Sequence, residues 1–542
     1  MDQNGDYLNV ALRIALSLLV AASPAAAWSQ ASAFEPTPPD SIVVTRHQVV
    51  VSGRTLRYTA RAGLIPIRDN ASGEVHAHVF FMSYTLDRTA GTPPRPLTFA
   101  WNGGPGSSVS QPHLLGFGPR IVKMDDDYGT ARPFSESEME DNQETWLTAT
   151  DLVFVDPVGT GYSRPTRPEY AAEFYQTRGD AESIAEFIRV YRIRFDAERA
   201  PLFIAGESYG TTRAANVADV LARWRIPLRG AVLAALSLPL GDRGAVLRAA
   251  LAVPTYTAAA FYWKRLAPDL QANRARALAE SEAWASGEYA RALARRDSLS
   301  EPERRAVVER LARYSGLDVT SLDQRTLTIN SQRYSRELLA KDGKLLGLYD
   351  IRRTALSPRD SAPRQYDPTT DPSLVPQLLH MNGTSALLTR YIRDELGFRS
   401  DLLYQGPFGG AYPPPSTFRG DWMSTRWERG AVVAGTASVA TPPAGQTPPL
   451  RRAMDANRDL RVLSMCGRYD TICNYYENVW AAANLDSALA SRVTVRTYDG
   501  GHEAYLSKIP RREMQRDVTA FIRASMRDSS IAMPNASPSF TP

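Results

Sequence analysis

The stretch Leu202-Phe203-Ile204-Ala205-Gly206-Glu207-Ser208-Tyr209-Gly210 decides how this chain is read. Its first residues are apolar without alternation, as in a short strand buried on both faces. Gly206 to Gly210 then fits the pattern Gly-x-Ser-x-Gly, and residues 212–224 continue with helical periodicity. A sharp strand-to-helix turn of this kind lifts a serine hydroxyl clear of the sheet, and glycines on either side relieve the crowding it creates. Ser208 is therefore the expected nucleophile.

Working outward, short apolar runs recur at 97–101, 152–155, 232–236, 462–465 and 493–495, with a further helical stretch at 180–195. Strand–helix alternation predicts a mostly parallel sheet covered by helices. Residues 42–51, 55–60 and 74–84 are strand-like and separated by turn signals such as Ser52-Gly53, which predicts an antiparallel opening to that sheet. Between 240 and 456 the composition changes. Residues 264–314 are rich in Ala, Arg, Glu and Leu, and Ser300-Glu301-Pro302-Glu303 has the form of a capping box. Glu301/Arg305 and Glu309/Arg313 are spaced for ion pairs along that helix, and 407–449 is Pro/Gly-rich and reads as loop. The fold class expected is α/β, in the α/β-hydrolase arrangement: a mostly parallel central sheet, helices on both faces and an inserted, largely helical cap. The boundaries expected are 41–240 and 456–526 for the two parts of the core, 241–455 for the cap and 527–542 for a flexible tail.

The ends and the composition bound the function. Arg13 precedes the apolar run 14–22, Ser23-Pro24 breaks it, and Ala25-Ala26-Ala27 supplies small residues for cleavage. Residues 1–27 thus read as an export signal, with an uncleaved anchor as the alternative, and 28–40 as a linker. The apolar run is too short to span a bilayer comfortably, and no stable membrane anchor is expected. The expected location is secreted or periplasmic. A net charge of +5 spread over 542 residues, with no basic block, gives no reason to expect nucleic acid. Neither zinc-type spacings nor a dinucleotide fingerprint or P-loop occurs, so no metal or cofactor is expected. The two cysteines, Cys466 and Cys473, flank the stretch that carries Asp470; a bridge and two buried thiols are both open.

A serine nucleophile needs a base, an acid and an oxyanion hole. Trp101-Asn102-Gly103-Gly104-Pro105-Gly106-Ser107-Ser108 follows a strand, and its glycines allow backbone N–H groups to face a substrate oxygen. Gly104 and Tyr209 are the expected oxyanion donors. Of six histidines, His502 lies in Asp499-Gly500-Gly501-His502-Glu503 after the strand at 493–497. That is the C-terminal end of a strand, where open α/β sheets bind ligands. His47, His76 and His78 lie in the opening strands, His113 near the oxyanion loop, and His380 in the cap. Asp470 follows the strand at 460–465 and comes between Ser208 and His502, the order this fold uses for the acid. Its competing role is a helix N-cap, and Asp499 is its rival as the acid.

Taken together, these pieces resemble the serine carboxypeptidases. The resemblance rests on Trp101 to Ser108, Val155-Asp156-Pro157-Val158-Gly159-Thr160-Gly161-Tyr162-Ser163, Gly206 to Gly210, Asp470 with Cys473-Asn474, and Gly500-Gly501-His502. It implies a peptide substrate with a free C-terminus, whose carboxylate is held by Asn102, Gly103 and Glu207. A buried carboxyl can share a proton with that carboxylate when one of the two is protonated, which implies binding that weakens as pH rises. The family's second recognition glutamate has no counterpart: Gly116 stands at its position, and Arg120 or His113 are the residues nearby that could compensate. An esterase or acyltransferase using the same triad is the alternative activity, favoured by the missing carboxylate anchor; a silent binding protein is disfavoured by the full set of catalytic residues.

Overall fold

The computed structural model describes residues 40–89, 91–124, 138–241, 243–357, 371–374, 386–405 and 447–527. The expected signal at 1–27, the linker up to residue 39, His380, nearly all of 407–449 and the tail beyond Arg527 lie outside the described residues.

Ten strands form one sheet. In chain order they are β1 (Ile42–Val51), β2 (Arg54–Arg68), β3 (Val75–Leu86), β4 (Leu97–Trp101), β5 (Asp151–Val155), β6 (Arg164–Pro165), β7 (Leu202–Glu207), β8 (Leu228–Ala234), β9 (Arg461–Gly467) and β10 (Val493–Tyr498). Across the sheet the order is β1-β2-β3-β5-β4-β7-β8-β9-β10, with β6 beside β3. The first three strands pair antiparallel, and β3 pairs antiparallel with β5. From β5 to β10 every pairing is parallel. This is the α/β-hydrolase fold expected, with β7 in the middle of the parallel part.

Side chains leave successive strand positions on opposite faces, and two cores result. Phe99, Val153 and Ile204 pack on one face under α1 (Thr177–Arg194) and α2 (Tyr209–Arg223), joined by Leu450 of α3 (Pro449–Ala456). Ala100, Phe154 and Phe203 pack on the other, under Val518 and Phe521 of the helix Lys508–Met526 and Leu388 and Ile392 of the helical stretch 386–394. Double-sided burial is why the parallel strands are apolar throughout.

Between β8 and β9 the chain leaves the sheet. Helices Gly244–Leu251, Val253–Tyr262, Arg274–Trp284 and Glu301–Ser315 share a separate core around Tyr256, Trp284, Leu311 and Tyr334. The capping box at Ser300 and Glu303 forms. The ion pair expected from Arg313 goes instead to Asp269, on a neighbouring helix. The run Gly244–Tyr262 is the one helical segment among the described residues long and apolar enough to cross a membrane, and most of it is buried within this region. The inserted region touches the sheet domain again where Gly161 pairs with Gln405 and where Arg164 donates to the Leu403 carbonyl.

Candidate active site

Ser208 sits at the joint between β7 and α2 with φ 54° and ψ −129°. A non-glycine residue holds such a conformation only where its surroundings impose it. They do so here: the Ser208 N–H donates to the Ala234 carbonyl of β8, 2.9 Å away. A side chain at Gly206 would lie 2.0 Å from the Gly210 carbonyl oxygen, so the turn closes only with glycine there. Ser208 is half-buried, at the C-terminal end of the parallel strands.

The other two expected catalytic residues meet. His502 Nδ1 is 2.8 Å from Asp470 Oδ2, and both side chains are buried. Asp470 uses its second oxygen to accept the Ile472 N–H at 2.7 Å. Its N-cap role is not realised, since the following helix, α4 (Tyr475–Ala483), begins after Asn474. Asp499 is not a competing acid: its carboxylate is divided between Arg274 (2.8 Å) and Arg468 (2.9 Å). Cys466 and Cys473, left open by the sequence, are joined as a disulfide that closes the loop holding Asp470.

His502 Nε2 is buried without a hydrogen-bond partner and lies 3.6 Å from Glu207 Oε1, which is likewise unpartnered. Burial pushes the Glu207 carboxyl up to about 8, helped by the charges of Glu503 and Asp470 and opposed by His502. Burial works against a charged His502 ring, but the charge and hydrogen bond of Asp470, with Glu207 and Glu503 behind, outweigh it and raise the ring to about 10. The pair can hold one proton in two ways. Either an imidazolium faces a carboxylate, or a neutral ring faces a carboxylic acid. Only the second form leaves Nε2 able to take a proton from a hydroxyl.

The Trp101–Ser108 loop packs directly on the serine turn. A side chain at Gly103 would come within 2.5 Å of the Tyr209 nitrogen and 2.9 Å of Ser208 Cβ. Gly104, with φ 98°, and the two residues after it are half-buried. Tyr209 is the first residue of α2, where backbone N–H groups have no acceptor within the helix. Tyr209 follows Ser208 directly, and Gly104 follows the glycine that packs on the Ser208 turn. Asn102 is turned inward. Its amide nitrogen donates to the Ser108 carbonyl (3.0 Å) and Gln111 (3.2 Å), and its oxygen accepts the Gly103 N–H (2.7 Å). Asn102 and Gly103 therefore hold the loop together, and Glu207 is the member of the expected substrate-binding set that keeps an unpartnered polar atom.

Neither expected substitute for the missing glutamate serves. His113 is fully buried, hydrogen-bonded to the Tyr84 hydroxyl at 2.6 Å, and driven down to about 3 by that burial. Arg120 pairs with Asp141 and approaches Glu395. The space over Gly116 is taken by the Tyr505 ring, which a side chain there would meet at 3.3 Å.

A contribution from the inserted region was not foreseen. The Tyr349 carbonyl accepts the His502 N–H at 2.6 Å, and the Tyr349 ring stands edge-on to the imidazole, 5.0 Å between centres. One residue earlier, the Leu348 carbonyl accepts both the Thr471 N–H (3.1 Å) and its hydroxyl (2.7 Å); the Ile351 N–H donates to Tyr469 (3.0 Å). Residues 348–351 thus bridge the loops of Asp470 and His502. No local pattern marks them in the sequence.

Residues 53–223 match the family model described as serine carboxypeptidase. That segment is similar to the serine carboxypeptidases. Among curated proteins, the pheromone-processing carboxypeptidase KEX1 of Komagataella phaffii is 31% identical over 160 residues, 29% of this chain and 22% of that protein. The corresponding protein of Talaromyces marneffei is 29% identical over 200 residues, 35% of this chain and 26% of that one. The match spans about a quarter of the length of these curated relatives. Among solved structures, the prohormone-processing carboxypeptidase of Saccharomyces cerevisiae aligns with a TM-score of 0.49 at 16% identity, over 86% of this chain and 92% of that one. The matched segment holds Ser208, Glu207 and the Trp101–Ser108 loop. Asp470 and His502 fall outside it and rest on the geometry above.

Proposed function

We propose that this chain is an exported serine-type carboxypeptidase that releases C-terminal residues from peptides through an acyl-enzyme on Ser208. The observation that carries this reading is the 2.8 Å contact of His502 with Asp470 beside the Ser208 turn, with Glu207 buried against the open face of the imidazole. In this mechanism Ser208 Oγ attacks the last peptide carbonyl and passes its proton to His502 Nε2. Asp470 stabilises the imidazolium, and the Gly104 and Tyr209 N–H groups receive the oxyanion. His502 returns the proton to the departing amino acid, and water, activated by the same ring, hydrolyses the acyl-enzyme. A protonated Glu207 is suited to meet the substrate carboxylate, one proton being shared between them. Export is supported by the signal-like pattern of residues 1–27.

A second reading, an esterase or acyltransferase, is favoured by one feature: the Tyr505 ring over Gly116 supplies apolar surface where a second carboxylate anchor is expected. One experiment separates the two. A blocked dipeptide is offered as free acid and as C-terminal amide across pH 4 to 8, with Ser208→Ala as control. The carboxypeptidase reading predicts strong preference for the free acid at low pH. Equal turnover of both forms, or turnover of a matching ester alone, transfers the chain to the second reading.

A further inference from the structure

Arg213 and Asp180 form an ion pair inside the protein, with side chains 2% and 6% exposed. Arg213 is one turn into α2 after Ser208, and Asp180 lies in the first turn of α1. The guanidinium Nε donates to both carboxylate oxygens, at 2.8 and 2.9 Å. Its Nη1 donates to the backbone carbonyl of Asn102 at 2.6 Å. Burying such a pair seldom gains stability over apolar residues of the same size, so the pair calls for a reason other than stability.

The reason lies at the far end of that last bond. The peptide between Asn102 and Gly103 is held at both polar ends, its carbonyl by Arg213 and its N–H by the Asn102 side chain. The next N–H, that of Gly104, has no acceptor among the described residues. A peptide fixed in this way determines where the following N–H points. Tyr209, the other oxyanion donor, is tied to the same pair: its hydroxyl donates to Asp180 at 3.3 Å, and the guanidinium lies over its ring, 5.2 Å from the centre. Trp101 adds a second tether, from its indole N–H to the Gly210 carbonyl at 2.9 Å. One buried ion pair thus touches Tyr209 directly and holds the peptide that precedes Gly104.

We propose that Arg213, oriented by Asp180, is a positioning residue that aligns the oxyanion hole by holding the Asn102 carbonyl and the Tyr209 ring. The proposal rests on the serine-hydrolase reading but not on which acyl substrate is used. Its test therefore uses a p-nitrophenyl ester, a fluorophosphonate to label Ser208, and phenylboronic acid, whose tetrahedral adduct needs the same donors. Arg213→Lys keeps the charge but cannot bond both carboxylate oxygens and the carbonyl in one plane; Arg213→Met removes the charge. Labelling is followed to its endpoint, so that activity is expressed per competent site. The expected result for Arg213→Lys is full labelling at a slowed rate and a kcat lowered about 10²-fold, with KM little changed. The inhibition constant of phenylboronic acid should rise by the same factor as kcat falls, and Arg213→Met should lose more on both measures. Unchanged kcat and boronate affinity per labelled site in Arg213→Lys would overturn the proposal, and so would a loss confined to KM. Failure of the parent protein to label at all would bring down the hydrolase reading, and this proposal with it.

Discussion

At Asp470 one carboxylate oxygen fixes the imidazole and the other a backbone N–H. Asp470→Asn keeps the size and offers Nδ1 a donor or an acceptor, so the ring can settle in the wrong tautomer. The expected outcome is a folded protein whose kcat for an ester falls by about 10⁴-fold with KM little altered, read by steady-state kinetics. Glu207 makes a different prediction. Its carboxyl, raised to about 8, is protonated in the neutral range, and Glu207→Gln imitates that form permanently. For a free-acid peptide, the parent KM should rise as pH passes about 8. In Glu207→Gln it should stay flat across the same change of pH. At this scale the placement of Ser208, Asp470 and His502 after strand ends was legible, because each follows a short apolar run. His113 and Arg120 were misjudged as possible anchors because nearness in sequence does not reveal burial or an existing partner. Arg213 and Tyr349 could not be read, since each acts on a partner more than a hundred residues away in the chain.

At the scale of elements, the disulfide and the serine turn carry most of the local order. Cys466 ends inside β9 and Cys473 precedes α4, so the bridge closes a seven-residue separation that contains Asp470. Closing so short a loop is worth about 2.5 kcal/mol by chain entropy. Cys466→Ser with Cys473→Ser should therefore unfold a few degrees lower by calorimetry and show reduced kcat, because the acid loses its clamp before the fold is lost. The strands were read closely, with two differences that have physical causes. The second strand runs on to Arg68 in place of residue 60, through Pro66. Strand β1 pairs with β2 only as far as Gly63, so on that side Pro66 has no partner strand that needs its missing N–H. The helix after Ser208 begins at Tyr209, not Thr212, because the change of direction is completed within Ser208 itself.

For the molecule as a whole, burying ionisable groups ties stability to pH. Glu207 is raised from 4.5 to about 8 and Asp156, also buried, from 3.8 to about 6. A carboxyl raised above its unfolded value makes the native state hold the extra proton between the two values, so stability falls as pH climbs through that window. The unfolding temperature should drop between pH 5 and pH 8, and Glu207→Gln should flatten the upper part of the slope; a curve indifferent to that substitution would show that other groups govern it. The sheet and its antiparallel opening were legible because strand periodicity and strand–helix alternation are local signals. The arrangement of the inserted helices was not, since their faces are satisfied by one another and by distant parts of the chain, as when Arg313 passes over its own helix for Asp269.

The bridge of residues 348–351 across the Asp470 and His502 loops also constrains how this chain can diverge. Insertions that shape a pocket are commonly treated as exchangeable parts, free to be traded between scaffolds or trimmed by a designer. Here the exchangeable part includes three backbone groups on which the acid and base loops depend. A graft that replaces the insertion must bring its own equivalent of this short segment, or leave the segment in place and vary what surrounds it. Lineages descending from this chain should accordingly alter the helices freely while keeping the length and path of the connection through Tyr349.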